Sequence, residues 1–278
     1  MILLTGGRGA IAEHLLTSLR ADGLDVRVGS RHPDLLRLPA DVPAVACDLT
    51  DAATFPAALS GVTSVFLYAE AAAITEFAAA ATEAGVEHIV LLSSSAVLDP
   101  GAATNPIAQS HLAAEVGLAH VPMTVTVLRP GAFAGNARNW APAIKADQPV
   151  SLPYPNAYTD PIHELDIAAA AHALLTGPDH RGTAHTLTGP ETLTFTAQLD
   201  RIAAITGRPV TVERVTPEVW REQTAEYLPA PYADGLLGYW RRCDGVPAPI
   251  TDTVSTLIGR PARTFTSWVE ENAAEFSG

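Results

Sequence analysis

The chain has 278 residues, enough for one large domain or a core with a smaller partner, and 47% of them are apolar, so a sizeable core can be buried. A formal charge of −13 excludes the usual electrostatics of nucleic-acid binding and disfavours an anionic membrane surface. No apolar run approaches the ~18 residues of a spanning helix, and a first strand predicted to start at Met1 leaves no room for a signal peptide.

The first predicted strand, Met1–Thr5, runs into Gly6-Gly7-Arg8-Gly9, and a helix over Ala10–Ala21 follows at once. Ile11, Leu15, Leu16 and Leu19 recur at helical spacing, so one face of that helix is apolar. A strand, a glycine turn and a helix N-terminus in this order make an anion cradle, because free backbone N–H groups and the helix dipole point at one spot. Thr5, Gly6, Gly7, Arg8, Gly9, Ala10 and Ile11 are therefore predicted to hold a dinucleotide pyrophosphate. Ala12 supplies the third small residue of G-x-x-G-x-x-A, which lets the helix pack closely on the sheet.

Further strands are predicted at 25–30, 44–47, 64–67, 88–93 and 124–129, with helices at 52–59, 74–84 and 107–119 between them. Short apolar strands alternating with helices mean a parallel sheet covered on both faces. With the glycine turn after the first strand, the expected fold is α/β, a Rossmann-type doubly wound parallel sheet. After Arg129 the rhythm breaks at Pro130-Gly131. A helix at 166–175 and a short strand at 184–187 are expected to follow, and then a helix near 196–205 and a strand near 210–215. Residues 1–190 are read as the nucleotide-binding domain and 191–278 as a smaller mixed α/β substrate or lid region. The segment 136–164 contributes to the substrate pocket, and 220–240, rich in aromatics, either lids a pocket or forms a surface helical pair.

The second strand ends at Ser30-Arg31, where an NAD-preferring site carries a carboxylate for the ribose 2′-hydroxyl. A hydroxyl and a guanidinium suit a 2′-phosphate instead, and Arg8 adds a second positive charge, so NADP(H) is the expected cofactor. Asp48 and Leu49, after the third strand, fall where adenine is held; Asp48, Thr50 or Asp51 can equally cap the next helix. Tyr68 and Ala69 end the fourth strand beside the cofactor path, with Glu70 expected to point away. Ser93, Ser94 and Ser95 close the fifth strand at the ligand-binding edge of the sheet. Cys47 and Cys243 lie far apart and read as reduced thiols of a cytoplasmic protein.

The motifs ILLTGGRGAIA, Ser30-Arg31, Asp48-Leu49, VLLSSS at 90–95, VTVLRPGAFAGN at 125–136 and PIHELDIA at 161–168 resemble the short-chain dehydrogenase/reductase superfamily, and more specifically its atypical NmrA-like, NAD(P)H-binding branch. The resemblance covers about the first 190 residues. It implies NADPH-dependent reductases of quinones and azo dyes, reductases of specialised metabolism, or nucleotide-binding regulators. It also implies that Pro130, Gly131 and Phe133 wall the nicotinamide and that Asn136, Trp140, Tyr154, Tyr158 and His163 line an acceptor pocket. His163 and Glu164 can instead serve packing between the two regions.

The chain departs from the superfamily at its proton-transfer pair. Lys145 is the only lysine and Ala141 stands four residues before it, so Tyr-x-x-x-Lys is absent. The equivalent helix offers His111 and Glu115, one turn apart on a shared face. Glu115 is expected to accept from the nicotinamide ribose and to raise the pKa of His111, which would make His111 an acid near neutral pH. Ser95 is the expected hydrogen-bond donor to the substrate carbonyl. The alternative for His111 and Glu115 is a plain surface ion pair, and no metal site is expected.

Without Tyr and Lys, a quinone, azo compound, enone or imine is a more tractable acceptor than a simple ketone, because less acid catalysis is needed. The expected activity is thus NADPH-dependent reduction of a small, planar electrophile. A non-catalytic NADP(H)-binding redox sensor and a non-redox isomerase or cyclase on the same fold are the alternatives. A small-molecule substrate is expected, with no nucleic acid and no membrane. Either a monomer or a homodimer fits, since no helix pattern marks a dimer face.

Overall fold

The computed structural model describes residues 1–277. In chain order the first half contains β1 (Ile2–Leu4), α1 (Ala10–Ala21), β2 (Val26–Ser30), β3 (Ala44–Ala46), α2 (Phe55–Leu59), β4 (Ser64–Tyr68), α3 (Ile74–Glu83), β5 (His88–Leu92), α4 (Pro106–Gly117) and β6 (Thr124–Pro130). The second half contains α5 (Ala141–Lys145), β7 (Val150–Leu152), β8 (Tyr158–Thr159), α6 (Glu164–Thr176), β9 (Ala184–Leu187), β10 (Leu193–Thr194) and α7 (Phe195–Thr206). It closes with β11 (Val212–Arg214), α8 (Pro217–Thr224), α9 (Ala230–Cys243), α10 (Thr253–Ile258) and α11 (Phe265–Asn272).

Seven strands form one sheet in the order β3-β2-β1-β4-β5-β6-β9, every neighbouring pair parallel. The order reverses at β1, so the crevice at the C-terminal ends of β1 and β4 is the topological switch point where such sheets take a ligand. The Rossmann expectation is met. Alternation along the strands divides the core: Ile2, Leu4, Val28, Phe66 and Val90 pack under α1 and α6, with Leu15, Leu19, Ile167 and Leu174. Leu3, Val65, Leu67, Ile89 and Leu91 face the other way, onto Phe55, Phe77 and Ala81. All five β5 residues are buried, as expected of a central parallel strand covered on both sides.

Helix boundaries follow local chemistry. The Asn105 side chain accepts from the Ile107 N–H and Pro106 occupies the first position of α4, where its missing N–H costs nothing. Thr194 caps α7, which ends at Gly207 with φ +69°, a left-handed conformation that glycine adopts without strain. The helix expected at 52–59 is a single 3-10 turn leading into five residues of α2, and Asp51, not Asp48, is its cap.

A third apolar cluster lies off the sheet, in residues 134–276. Trp268 and Phe265 stack at 5.8 Å beneath Leu199, Ile202, Ile144 and Val150. An edge-to-face chain runs Trp140–Phe195–Trp240–Trp220 and ties α8 and α9 to this core. The 220–240 segment is therefore two helices anchored by aromatics. Asp166, fully buried at the start of α6, accepts from the side chains of Arg260 and Arg263 and from the Arg263 N–H, fastening the C-terminal segment to the sheet domain.

Candidate functional site

The glycine turn is built so tightly that each glycine has a stated reason. Gly6 has φ +64°, and a Cβ there would meet the Tyr68 ring at 2.5 Å. At Gly7 a Cβ would meet Val28 Cγ1 at 2.3 Å, and at Gly9 it would meet the Tyr68 hydroxyl at 2.7 Å. The Gly9 N–H donates to the Gly6 carbonyl, and Gly9 leads into α1 with no side-chain cap. The first N–H groups of α1 are thus left for an external acceptor. Thr5 is fully buried and its hydroxyl is used within the sheet, donating to the Phe66 carbonyl and accepting from the Tyr68 N–H. Burial pushes the Tyr68 hydroxyl up to about 12, so it stays protonated beside the turn. The cradle fits a pyrophosphate: Gly6–Ile11 would hold it. When bound, a reduced nicotinamide supplies a hydride at the sheet's C-terminal edge.

Arg8 and Arg31 are exposed, and neither is in an ion pair among the described residues. A groove of about 730 Å³ opens beside the turn, between α1 and residues 35–39, and is lined by Gly7, Arg8, Arg20 and Arg37 among others. Arg20 is tied to Asp41 at 2.6 Å. Arg37 was not singled out from the sequence; only its return beside Arg8 through the loop after β2 reveals it. The Ser30 hydroxyl accepts from the His32 N–H and so shapes the turn after β2. Asp48 folds onto itself, one oxygen accepting from the Thr50 N–H and hydroxyl, and those bonds hold its carboxyl below the usual range. Leu49 packs at the edge of the second core, and the Ala69 N–H bonds the Leu92 carbonyl. Glu70 accepts from the Ala72 N–H.

The proton-transfer region differs from expectation. Glu115 accepts 2.6 Å from the Ser93 hydroxyl and takes a two-pronged contact from Arg129 on β6, its Nε at 3.0 Å. Both carboxylate oxygens thus already accept from the protein itself. Burial opposes ionisation of Glu115, but the Arg129 and Ser93 hydrogen bonds and the Arg129 charge outweigh it and keep its pKa below the ordinary value. The expectation for His111 is corrected. Desolvation lowers its pKa and exceeds the opposing pull of Glu115, so it is a neutral imidazole near pH 7, with Nδ1 buried and unpartnered among the described residues.

Ser94 spends its hydroxyl capping the short turn after β5 by accepting from the Ala96 N–H, and Ser95 begins that turn, half-buried. Pro130 is buried at the end of β6, and Phe133 is paired through its backbone with Ile162. Asn136 is exposed and Tyr158 half-buried on β8, while Trp140 and Tyr154 pack onto the third cluster. His163 takes the packing role that was its alternative. Only 4% exposed, it caps α6 through Nδ1 and contacts Glu271 through Nε2, joining the C-terminal segment to the sheet domain. Glu164 beside it accepts from the Gly135 N–H.

Sequence reasoning missed a second group as well. Asp160, 7% exposed, lies against the end of β6, where a Cβ on Gly131 would fall 2.0 Å from its Oδ2, and its Oδ1 accepts from the Ala132 N–H at 3.1 Å. Burial pushes its carboxyl up to about 6.

A doubly wound sheet with a glycine cradle at its switch point defines a dinucleotide-binding protein. A family model described as NAD(P)H-binding matches residues 6–178, more than half of the chain. The chain is 34% identical, over its whole length and 99% of the relative, to a (4-alkanoyl-5-oxo-2,5-dihydrofuran-3-yl)methyl phosphate reductase of Streptomyces griseus. It is 31% identical, over 99% of each chain, to an NAD(P)H azoreductase of Xenophilus azovorans. Among solved structures, the NADPH-dependent quinone oxidoreductase of Escherichia coli complexed with NADPH superposes with a TM-score of 0.83 at 24% identity, covering 98% of this chain and 99% of that one. The chain belongs to the NAD(P)H-binding family and is an NAD(P)H-dependent oxidoreductase. No helix among the described residues is long and apolar enough to cross a membrane, and no cluster of metal-ligating side chains occurs among them.

Proposed function

We propose that this protein uses NADPH to reduce a small, planar acceptor whose double bond is already activated by conjugation, such as an unsaturated lactone, enone or quinone. One observation carries the reading. Neutral His111 and an ionised Glu115 held by Ser93 and Arg129 stand where a carbonyl reductase keeps its Tyr and Lys. That helix face offers little acid strength to the oxygen of a plain ketone. A conjugated acceptor spreads the incoming charge and needs less help. The relatives support this range: an oxo-dihydrofuran phosphate, an azo substrate and a quinone stand in their names.

The preference for NADPH over NADH rests on Arg8 and Arg31, exposed and in no ion pair among the described residues, with Arg37 lining the groove beside Arg8. A guanidinium fork recognises a 2′-phosphate, and no carboxylate stands at the end of β2 to accept from a free 2′-hydroxyl. The pyrophosphate sits on the α1 N-terminus in this reading. Gly131 and Phe133 border the reacting ring, with Tyr158 and Asn136 nearer the mouth. Residues 1–190 carry the nucleotide and 191–278 cover the acceptor.

Calorimetric titration with NADPH, NADP+, NADH and NAD+, followed by an assay of NADPH consumption with an α,β-unsaturated lactone, a quinone, an azo dye and a simple ketone, tests the reading. Tight binding of the phosphorylated pair and turnover of the conjugated acceptors but not the ketone is the expected result. Nucleotide binding without turnover of any acceptor overturns it.

A further inference from the structure

Above the ends of β5 and β6 lies a group of titratable side chains that the nucleotide site does not use. Asp160 reaches it from the segment between β8 and α6. Tyr239 and Cys243, one turn apart on α9, are near enough to feel its charge, and Asp99, which acts on both, pairs with Arg242. Gly101 makes room for that pair: a Cβ there would come within 2.7 Å of Arg242 Nη2. Asp160 has no cation within ion-pair distance among the described residues, although Arg242 stands in the same region and is committed to Asp99. A buried carboxyl without a cation is costly to keep ionised, and its single backbone donor, the Ala132 N–H, compensates only in part. Its carboxyl is pressed against Gly131, the first residue past β6, at the edge of the sheet where the ligand of this fold binds.

We propose, resting on the reductase reading above, that Asp160 is the proton donor of the reaction, acting beside Gly131 at the end of β6. A reduced nicotinamide, when bound, would supply the acceptor with a hydride and so with two electrons; the conjugated double bond would open and leave an enolate. Asp160 in its neutral form then gives its O–H proton to that enolate, forming the new C–H bond, and its carboxylate regains a proton from solvent. Tyr239 is the positioning residue. Burial, together with the negative neighbours Cys243, Asp160 and Asp99, drives its pKa upward, so it remains a neutral hydroxyl able to donate a hydrogen bond without losing its proton. Burial also raises the Cys243 thiol, which leaves Asp160 as the group in this cluster that exchanges a proton near neutrality.

The sign of the pH dependence follows. Asp160 carries its proton below about 6 and loses it above, so turnover limited by this step falls as pH rises through that value. The test measures kcat and KM for an α,β-unsaturated lactone across pH in the wild type, Asp160→Asn and Tyr239→Phe, with NADP+ binding by calorimetry as the control for folding. Carboxyl-carbon NMR of aspartate-labelled protein, with and without NADP+, gives a readout independent of turnover. Asp160→Asn is expected to lower kcat by about 100-fold, to flatten the inflection near pH 6 and to leave NADP+ affinity unchanged. Tyr239→Phe should lower kcat less and move the inflection. The resonance lost in the Asn variant should titrate near 6 and shift on NADP+ addition.

Wild-type kcat and pH profile retained in Asp160→Asn, or a resonance that titrates near 4 and ignores the nucleotide, overturns the assignment while the reductase reading stands. A wild type that turns over no conjugated acceptor overturns both. If the Asn variant does not fold, a wild-type profile without an inflection near pH 6 overturns the assignment by itself.

Discussion

Arg129, one residue from the end of β6, holds Glu115 of α4 through two N–H donors, while the Ser93 hydroxyl closes on the same carboxylate from the end of β5. Three elements that meet only in the folded protein are fastened by one acid. Removing the charge leaves a half-buried guanidinium without its partner. Glu115→Gln is expected to destabilise the protein by about 3 kcal/mol, read as a shift in urea midpoint. An unchanged midpoint would mean that the network contributes nothing net. Because the folded-state pKa of Glu115 is depressed, its contribution is present above the unfolded value near 4.5 and lost as pH falls through the folded one.

The glycine turn yields a rescue experiment. Gly9→Ala places a methyl 2.7 Å from the Tyr68 hydroxyl, whereas the next contacts, at 3.3 Å and beyond, are tolerable. Gly9→Ala alone should weaken NADPH binding by about tenfold or more, since every 1.4 kcal/mol of strain is a factor of ten. Tyr68→Phe in the same chain should recover much of that loss. Calorimetry of the single and double variants decides it, and a double variant no better than Gly9→Ala would place the obstruction elsewhere.

Cofactor choice has a separate test. Arg31→Ala and Arg8→Ala should each weaken NADPH by about 1.5–3 kcal/mol, the range for a hydrogen bond to a charged group, and leave NADH almost unchanged. Arg37→Ala should show a smaller effect of the same sign. Equal losses for both nucleotides would remove these arginines from 2′-phosphate recognition.

Acid sensitivity should centre on His88. Its Nε2 meets the Thr126 hydroxyl at 2.9 Å, its Nδ1 is buried without a partner, and burial, with Arg181 nearby, lowers its pKa to about 4. A depressed histidine stabilises the fold above its unfolded value near 6.5, and that contribution is lost as pH falls through about 4. His88→Gln should flatten the loss of thermal stability between pH 6.5 and 4. A variant with the wild-type slope would point to other groups.

Asp160 predicts the opposite slope. Its folded pKa is raised, so it is least costly below the unfolded value near 3.8 and increasingly costly as pH rises through about 6. Asp160→Asn should therefore gain stability over the wild type above pH 6, by about 2–3 kcal/mol at the 1.36 kcal/mol per unit of linkage. Denaturation curves at pH 5 and pH 8 reveal the difference, and equal gains at both would contradict a buried, proton-sharing acid.

The cradle was readable in the sequence because its information is local. Gly6, Gly7 and Gly9, the apolar strand before them and the spacing of Leu15, Leu16 and Leu19 all lie within one supersecondary unit. His111 and Glu115 were readable as a pair for the same reason, being one helical turn apart. What they do was not, because Arg129 and Ser93 arrive from separate strands and decide where the carboxylate spends its oxygens. The pKa of His111 likewise depends on how deeply α4 is covered, a property of packing that spacing does not carry. Asp160 is further still from local reading. Its significance comes from Gly131 and from α9, both distant along the chain, and in the sequence it is one acid in a proline- and tyrosine-bearing stretch. Trp140 and Tyr154 have the residue types of a pocket wall, yet they pack on the third cluster, and His163 caps α6 and bonds Glu271.

All four tryptophans lie beyond residue 139, and three of them belong to the aromatic chain or close it onto α8 and α9. The first 139 residues, which hold the glycine cradle, contain none. Indole emission from this protein therefore originates wholly outside the nucleotide cradle. Reduced nicotinamide absorbs where indole emits, so quenching on NADPH addition would measure how near the covering helices lie to the reacting ring. An acceptor that moves α8 and α9 would change that signal without any attached label.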